Sequence, residues 1–135
     1  MKTVTRETNP DIIEKLKDNF VEDGVYTKEV MCKDFITAMM VSPDKICVMV
    51  GYDDDKIVGH LIAYVPYNRD YVTLDQAWNG AAPEHCLEGF KRLKEWVKSI
   101  GLNEIRFETE RASVMARAVK TWGFSHHSVI FQQKF

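Results

Sequence analysis

Residues 71–109 read YVTLDQAWNGAAPEHCLEGFKRLKEWVKSIGLNEIRFET, and their order decides the fold class. Tyr71 to Ala77 has the composition of a strand. The stretch Asp75-Gln76-Ala77-Trp78-Asn79-Gly80-Ala81-Ala82-Pro83-Glu84-His85 then turns through small residues into a helix, with Pro83 in the first helical turn, where its missing N–H costs least. From Pro83 to Ile100, residues Leu87, Phe90, Leu93, Val97 and Ile100 line one face, opposite Lys91, Arg92, Lys94, Glu95 and Lys98, and Gly101 ends the helix. Asn103 to Thr109 alternates as a strand does. Strand, helix and strand in this order make a crossover between parallel neighbours. A small-residue turn entering a helix N-terminus offers backbone N–H groups and the positive end of a dipole, which suit an anion. The same turn also joins strands to helices in proteins that bind nothing.

Upstream, Asn9-Pro10-Asp11 opens a helix with Ile12, Ile13, Leu16 and Phe20 at helical spacing, expected to run to Gly24. Thr27 caps a second helix with Val30, Met31, Phe35, Met39 and Met40 on its apolar face, stopped by Ser42-Pro43-Asp44. Ile46 to Tyr52 and Lys56 to Val65 form a hairpin around Asp53-Asp54-Asp55. That triplet reads as a turn rather than a cation site, since no spaced ligand array with a closing Glu follows it. Downstream, a short helix over Ala112 to Trp122 and a closing strand over Phe124 to Phe135 complete the order helix, helix, hairpin, strand, helix, strand, helix, strand. The chain thus reads as one α/β domain over residues 1–135, a mixed central sheet flanked by helices.

The balance of 18 basic against 20 acidic side chains argues against nucleic acid as a partner, and no apolar run approaches the ~18 residues of a membrane span. Cys32, Cys47 and Cys86 lack zinc or redox spacing and read as reduced thiols of a cytoplasmic protein. No metal site is expected: the vicinal His126 and His127 are a poor chelate, since neighbours on a strand point to opposite faces.

Three stretches carry a family resemblance. DDDKIVGHLIAYV, LNEIRFET and ARAVKTWGF, in this order and spacing, resemble the hairpin, the strand after the cofactor helix and the late Gly-Phe helix of the GNAT superfamily of acyl-CoA-dependent N-acetyltransferases. The resemblance implies acetyl-CoA as co-substrate, with its pantetheine arm between two splayed parallel strands, Tyr71 to Ala77 and Asn103 to Thr109. It places Leu74, Asp75 and Gln76 along pantetheine and the N–H groups of Asn79, Gly80, Ala81, Ala82 and Glu84 at the pyrophosphate. An exposed backbone N–H between Asp75 and Ala77 would polarise the thioester carbonyl, Asp75, Glu108 and Glu110 are candidates for the base that takes the acceptor amine's proton, and His126 or His127 could stand in for the tyrosine acid that many members carry. The acceptor would sit between the first helices and the late strands, near Tyr26, Tyr64, Tyr67 and Arg69, with Glu22, Asp23 and Glu29 suited to a cation. Trp78 is placed either to stack on adenine or to plug the cleft.

The chain also departs from the family pattern. Between Gln76 and Gly80 the Q/R-x-x-G-x-G/A signature is one residue too long, Glu84 brings a negative charge, and Val119 stands where many members carry a Tyr acid. These departures support an alternative: a GNAT-like fold without cofactor that acts as a binding or structural subunit. The edge of the closing strand, 128–134, offers a surface for a second copy or another protein chain.

Overall fold

The computed structural model describes residues 2–22, 26–80, 83–109, 114, 117, 119–125 and 131–134. Its elements run β1 (Lys2–Glu7), α1 (Ile12–Leu16), a 3₁₀ turn (Lys17–Asn19), α2 (Lys28–Val41), β2 (Ile46–Asp53), β3 (Lys56–Tyr64), β4 (Val72–Asn79), α3 (Pro83–Ser99) and β5 (Ile105–Arg106). The sheet has the order β1-β2-β3-β4-β5. Its first four strands pair antiparallel, and β4 with β5 is parallel. The expected mixed sheet and the crossover through α3 are therefore present.

Helices cover both faces, which explains why ICVMV in β2 is a continuous apolar run. Ile46, Val48, Val50 and Ile62 face Ile13, Leu16, Phe20, Met31, Phe35 and Met39 from α1, α2 and the segment between them. Cys47, Met49, Leu61, Ala63, Val72 and Leu74 face Phe90, Leu93, Trp96 and Val97 of α3. Burying these side chains, at about 1.5–3 kcal/mol for each large one, is what holds the layers together.

Local signals set the element ends. Thr27 Oγ1 accepts a hydrogen bond from the Val30 N–H at 3.2 Å and so caps α2. At the end of α3 the Gly101 N–H bonds to the Lys98 carbonyl and the Leu102 N–H to the Val97 carbonyl. This closing pattern needs a left-handed residue, and Gly101 supplies it at φ +83°. Asp54 takes φ 53° at the tip of the β2–β3 hairpin, a conformation Asp tolerates.

Several expectations are corrected. A strand, not a helix, opens the chain: β1 carries only Val4 as a buried apolar residue, so it shows no apolar alternation. It is held by its ladder to β2 and by Arg6, whose Nη2 donates to the carbonyls of Pro43 (3.2 Å) and Ile46 (3.0 Å). The Arg6 guanidinium also lies 5.6 Å from the centre of the Trp96 ring. The first helix stops at Leu16, tightens into the 3₁₀ turn and gives way to extended backbone at Phe20. On α2, Val30 and Met40 face outward and Cys32 faces the core. The strand expected over 71–77 runs on to Asn79, and the one expected over 103–109 shortens to Ile105–Arg106 because only these residues find a ladder partner on β4. Of the late helix, Val114, Arg117, Val119 and Lys120 are helical, whereas 124, 125 and 131–134 lie in no strand. The rest of both expected late elements, residues 128–130 of the proposed pairing edge included, falls largely outside the described residues.

His60 of β3 is 3% exposed, stacked edge-on against Phe20 and beside Trp78. Burial pushes its pKa from 6.5 down to about 4. The unfolded chain therefore takes up a proton as pH falls through 6.5, while the folded chain resists until about pH 4. Stability is complete above pH 6.5 and is lost between these two values, by about 3 kcal/mol in full and about 2 kcal/mol at pH 5. Chemical denaturation at pH 7 and pH 5 should show wild type losing about 2 kcal/mol more than His60→Leu over this interval. Equal losses in the two proteins would contradict the assignment.

Candidate active site

Where β4 leaves β5, the sheet opens. The two strands pair only at Val72 with Ile105 and Thr73 with Arg106. No further β4–β5 pair follows Thr73 and Arg106 among the described residues. The opposite edge of β4 stays paired with β3, but the register shifts: Leu74 faces Ala63 and Gln76 faces Ile62. Asp75 is the extra residue of this bulge, and it is exposed. The bulge has a trace in the sequence: Val72, Leu74 and Ala77 lie on the α3 face at a spacing of two and then three residues.

One hydrogen bond fixes the direction of the backbone groups. The Gly80 N–H donates to the carbonyl of Val58 at 2.8 Å, on the β3 side. Because amides alternate between the edges of a strand, the N–H of Ala77 points the other way, into the opening. Asp75 and Glu108 lie two residues beyond the paired Thr73 and Arg106, at the same level of the two diverging walls, and both are exposed. The other proton-moving candidates, Glu110 and His126, lie outside the described residues, as do Ala81 and Ala82.

Three cofactor assignments change in detail. Gly80 was expected to offer its N–H to a pyrophosphate, but that N–H closes the β3–β4 ladder. Its lack of a side chain serves Trp78, whose ring comes within 2.3 Å of where a Cβ would sit. Asn79 belongs to β4, opposite Gly59, rather than to the turn. Gln76 is 4% exposed and its carboxamide turns away from the opening: Oε1 accepts from the Val21 N–H at 2.8 Å, and Nε2 donates to the Val21 carbonyl at 3.1 Å. Leu74 is buried against α3, so its backbone is what the edge presents.

Trp78 folds over Gly80 beside His60, on the α1–α2 face. His85 packs against Gly51 of β2 and is 7% exposed, facing the sheet rather than the turn. Trp122 and Phe124 dock on Phe90, and Phe124 on Phe107, which anchors the late Gly-Phe corner to α3 and the chain after β5. Val119 in the late helix is half exposed and carries no proton to donate.

On the α1–α2 side of the opening, Asp75, Tyr26 and Tyr71 lie near Tyr64. Burial, then Asp75, Tyr26 and Tyr71, raise the pKa of the Tyr64 hydroxyl, so all three groups lie close enough to act on it electrostatically. Arg106 stacks 3.9 Å from the Tyr71 ring centre and pairs with Glu104, not with Glu108. Sequence reasoning, which offered Arg106 as a partner for the strand-edge carboxylates, missed its stacking on Tyr71. Glu22 and Glu29 are committed locally, to the Lys28 N–H at 3.2 Å and to Lys17 at 3.5 Å. Tyr67 is 96% exposed, and Asp23 lies outside the described residues. Arg69 lines a separate surface groove with Lys45, Pro66 and Asp70. Among the described residues, no three His, Cys, Asp or Glu side chains group as a metal site would. None of their helices is long and apolar enough to cross a membrane.

No protein-family model matches the sequence, and no curated protein sequence matches it either. Solved structures do match in shape. An aminoglycoside N-acetyltransferase, AAC(6')-Iy, in complex with a bisubstrate analogue of CoA, superposes with a TM-score of 0.75 at 13% identity over 100% of this chain and 99% of that one. Glucosamine-6-phosphate N-acetyltransferase from Arabidopsis thaliana gives 0.68 at 15% identity, covering 100% and 99% of the two chains. The PaiA N-acetyltransferase from Thermoplasma acidophilum, in complex with coenzyme A, gives 0.70 at 13% identity, covering 96% and 93%. The chain therefore has the acyl-CoA N-acyltransferase (GNAT) fold, with β4 and β5 as its parted strands.

Proposed function

We propose that the protein is an acetyl-CoA-dependent N-acetyltransferase acting on a small amine. One observation carries this reading: β4 parts from β5 after two residue pairs and bulges at Asp75, leaving an open edge. An extended pantetheine arm, with its two amides, fits such an edge as a missing strand would. Solved proteins of the same shape, crystallised with CoA or a CoA analogue, support the choice of co-substrate.

Acetyl-CoA supplies the acyl group as a thioester. The Ala77 N–H is placed to donate to the carbonyl oxygen, where negative charge grows as the amine attacks. Asp75, directly or through water, takes the proton that the amine must lose, with Glu108 on the opposite wall as the second candidate. The new bond is C–N and the broken bond is C–S; the products are an amide and the free thiol. With Val119 at the late helix, the thiolate draws its proton from solvent rather than from a tyrosine. Ala81, Ala82 and the amides at the start of α3 are proposed for the pyrophosphate, without the help of Gly80.

Calorimetric titration with acetyl-CoA should give saturable binding in the micromolar range. A panel of primary amines, followed through release of the CoA thiol, should contain at least one acceptor. No binding at millimolar acetyl-CoA would refute the proposal and favour a cofactor-free binding role. Asp75→Asn should lower kcat by on the order of 100-fold while leaving the affinity for acetyl-CoA within about twofold. A full-rate Asp75→Asn enzyme would remove Asp75 from the chemistry.

A further inference from the structure

The polar side chain most deeply committed around the opening is not one of the candidate acids or bases. Gln76 follows the bulge directly, is buried, and spends its carboxamide on the segment between the 3₁₀ turn and α2. Accepting from the Val21 N–H and donating to the Val21 carbonyl, it reproduces with one side chain the paired contact of a neighbouring strand. Its Nε2 also lies 3.3 Å from Asp75 Oδ1 and 3.4 Å from Met31 Sδ. One side chain thus joins three things: the backbone leaving Phe20, the start of α2 and the exposed carboxylate at the bulge.

The residue type fits that task and few others would. A leucine of similar size would leave the Val21 N–H and carbonyl without these two bonds, and a polar group left dry is destabilising. A glutamate could accept from the N–H but could not donate to the carbonyl, and it would set a second carboxylate against Asp75. The anchored segment leads to Tyr26, one of the groups that act on Tyr64 together with Asp75. Glu22, one residue past the anchor, binds the Lys28 N–H and steers the chain into α2.

We propose that Gln76 is a positioning residue for the acceptor: it clamps Val21 to the bulge of β4 and orients Asp75, so that the acceptor-side wall and the proton-accepting carboxylate are fixed together. This rests on the acetyl-transfer reading above and deepens it. In the absence of the clamp the thioester side of the cleft keeps its backbone edge, while the acceptor side loses its wall. Loss of Gln76 should therefore weigh on amines that need positioning and deprotonation before attack more than on a small nucleophile that attacks already neutral and can lose its proton to water afterwards. Hydroxylamine is such a nucleophile, small and already neutral at pH 7.

The test compares Gln76→Leu with wild type in two measurements. The first is backbone amide exchange, in which the Val21 N–H should exchange at least about tenfold faster in the variant while Val48 and Ile62 in the central strands stay protected. The second is kinetics with acetyl-CoA, in which kcat/KM for the best amine of the panel should fall about tenfold further than kcat/KM for hydroxylamine. Val21→Pro removes the same N–H from the loop side without touching the core. Phe20 already has the extended backbone (φ −73°, ψ 143°) that a following proline requires, so this variant guards against misfolding of the first. It should show the same selective loss. Equal losses for amine and hydroxylamine in both variants, or an unchanged Val21 exchange rate, would overturn the proposal. If no nucleophile is acetylated even by wild type, the acetyl-transfer reading fails, and the Val21 exchange rate alone decides whether Gln76 holds the segment.

Discussion

The parting of β4 from β5 is the constraint around which this molecule is arranged. Two parallel strands that share a ladder for only two residue pairs leave backbone groups of β4 facing outward, in a part of the sheet otherwise buried on both sides. Such groups need a partner or water. The bulge at Asp75 adjusts the strand to that situation: it turns Asp75 outward while keeping Gln76 opposite Ile62 and in contact with the loop before α2. Everything nearby serves one or other edge of β4. Gly80 finishes its ladder to β3 through Val58, and Trp78 lies over that closure.

A cleft in a sheet is useful only if its walls keep their places, and each wall here is tied to its own layer. Leu74 and Val72 are fixed by α3 on one face, while Gln76 reaches α2 and Val21 on the other. The far edge of the sheet is secured differently, by Arg6 bridging β1, the turn before β2 and the Trp96 ring. Buried His60 lies on the α1–α2 face in an apolar setting, and its low pKa makes that face sensitive to acid. Cys47, pushed up to about 11 by burial, is a core residue rather than a nucleophile.

Much of this was legible in residue patterns, because long periodic or continuous apolar segments leave few alternatives. The β2–β3 hairpin, the Thr27 cap, the long helix from Pro83 and its Gly101 stop all follow from side-chain spacing and turn chemistry. β1 was not legible, since an edge strand with one buried residue has no alternation to read and depends on the long-range bonds of Arg6. The length of β5 was not legible either: a strand's sequence says that it can pair, not how far its neighbour stays beside it. Within the candidate site, the position of Asp75 on the parting strand was legible, but the contacts of Gln76 were hidden. Its signature position suggests the cofactor, whereas its carboxamide turns to a partner 55 positions earlier in the chain. The expected part of Gly80 at the phosphates fails for the same reason: a glycine permits close approach without saying of what, and here the approach is by Trp78.

The most direct measurement is a titration of the isotopically labelled protein with CoA, followed by backbone amide shifts. Insertion between the parted strands predicts saturable shifts along Leu74 to Asn79, in residues 107–109 and at the first turn of α3, with the β1–β2 pairing unmoved. Shifts confined to other surfaces, or none up to millimolar CoA, would contradict the central claim that the open edge of β4 is a thioester site.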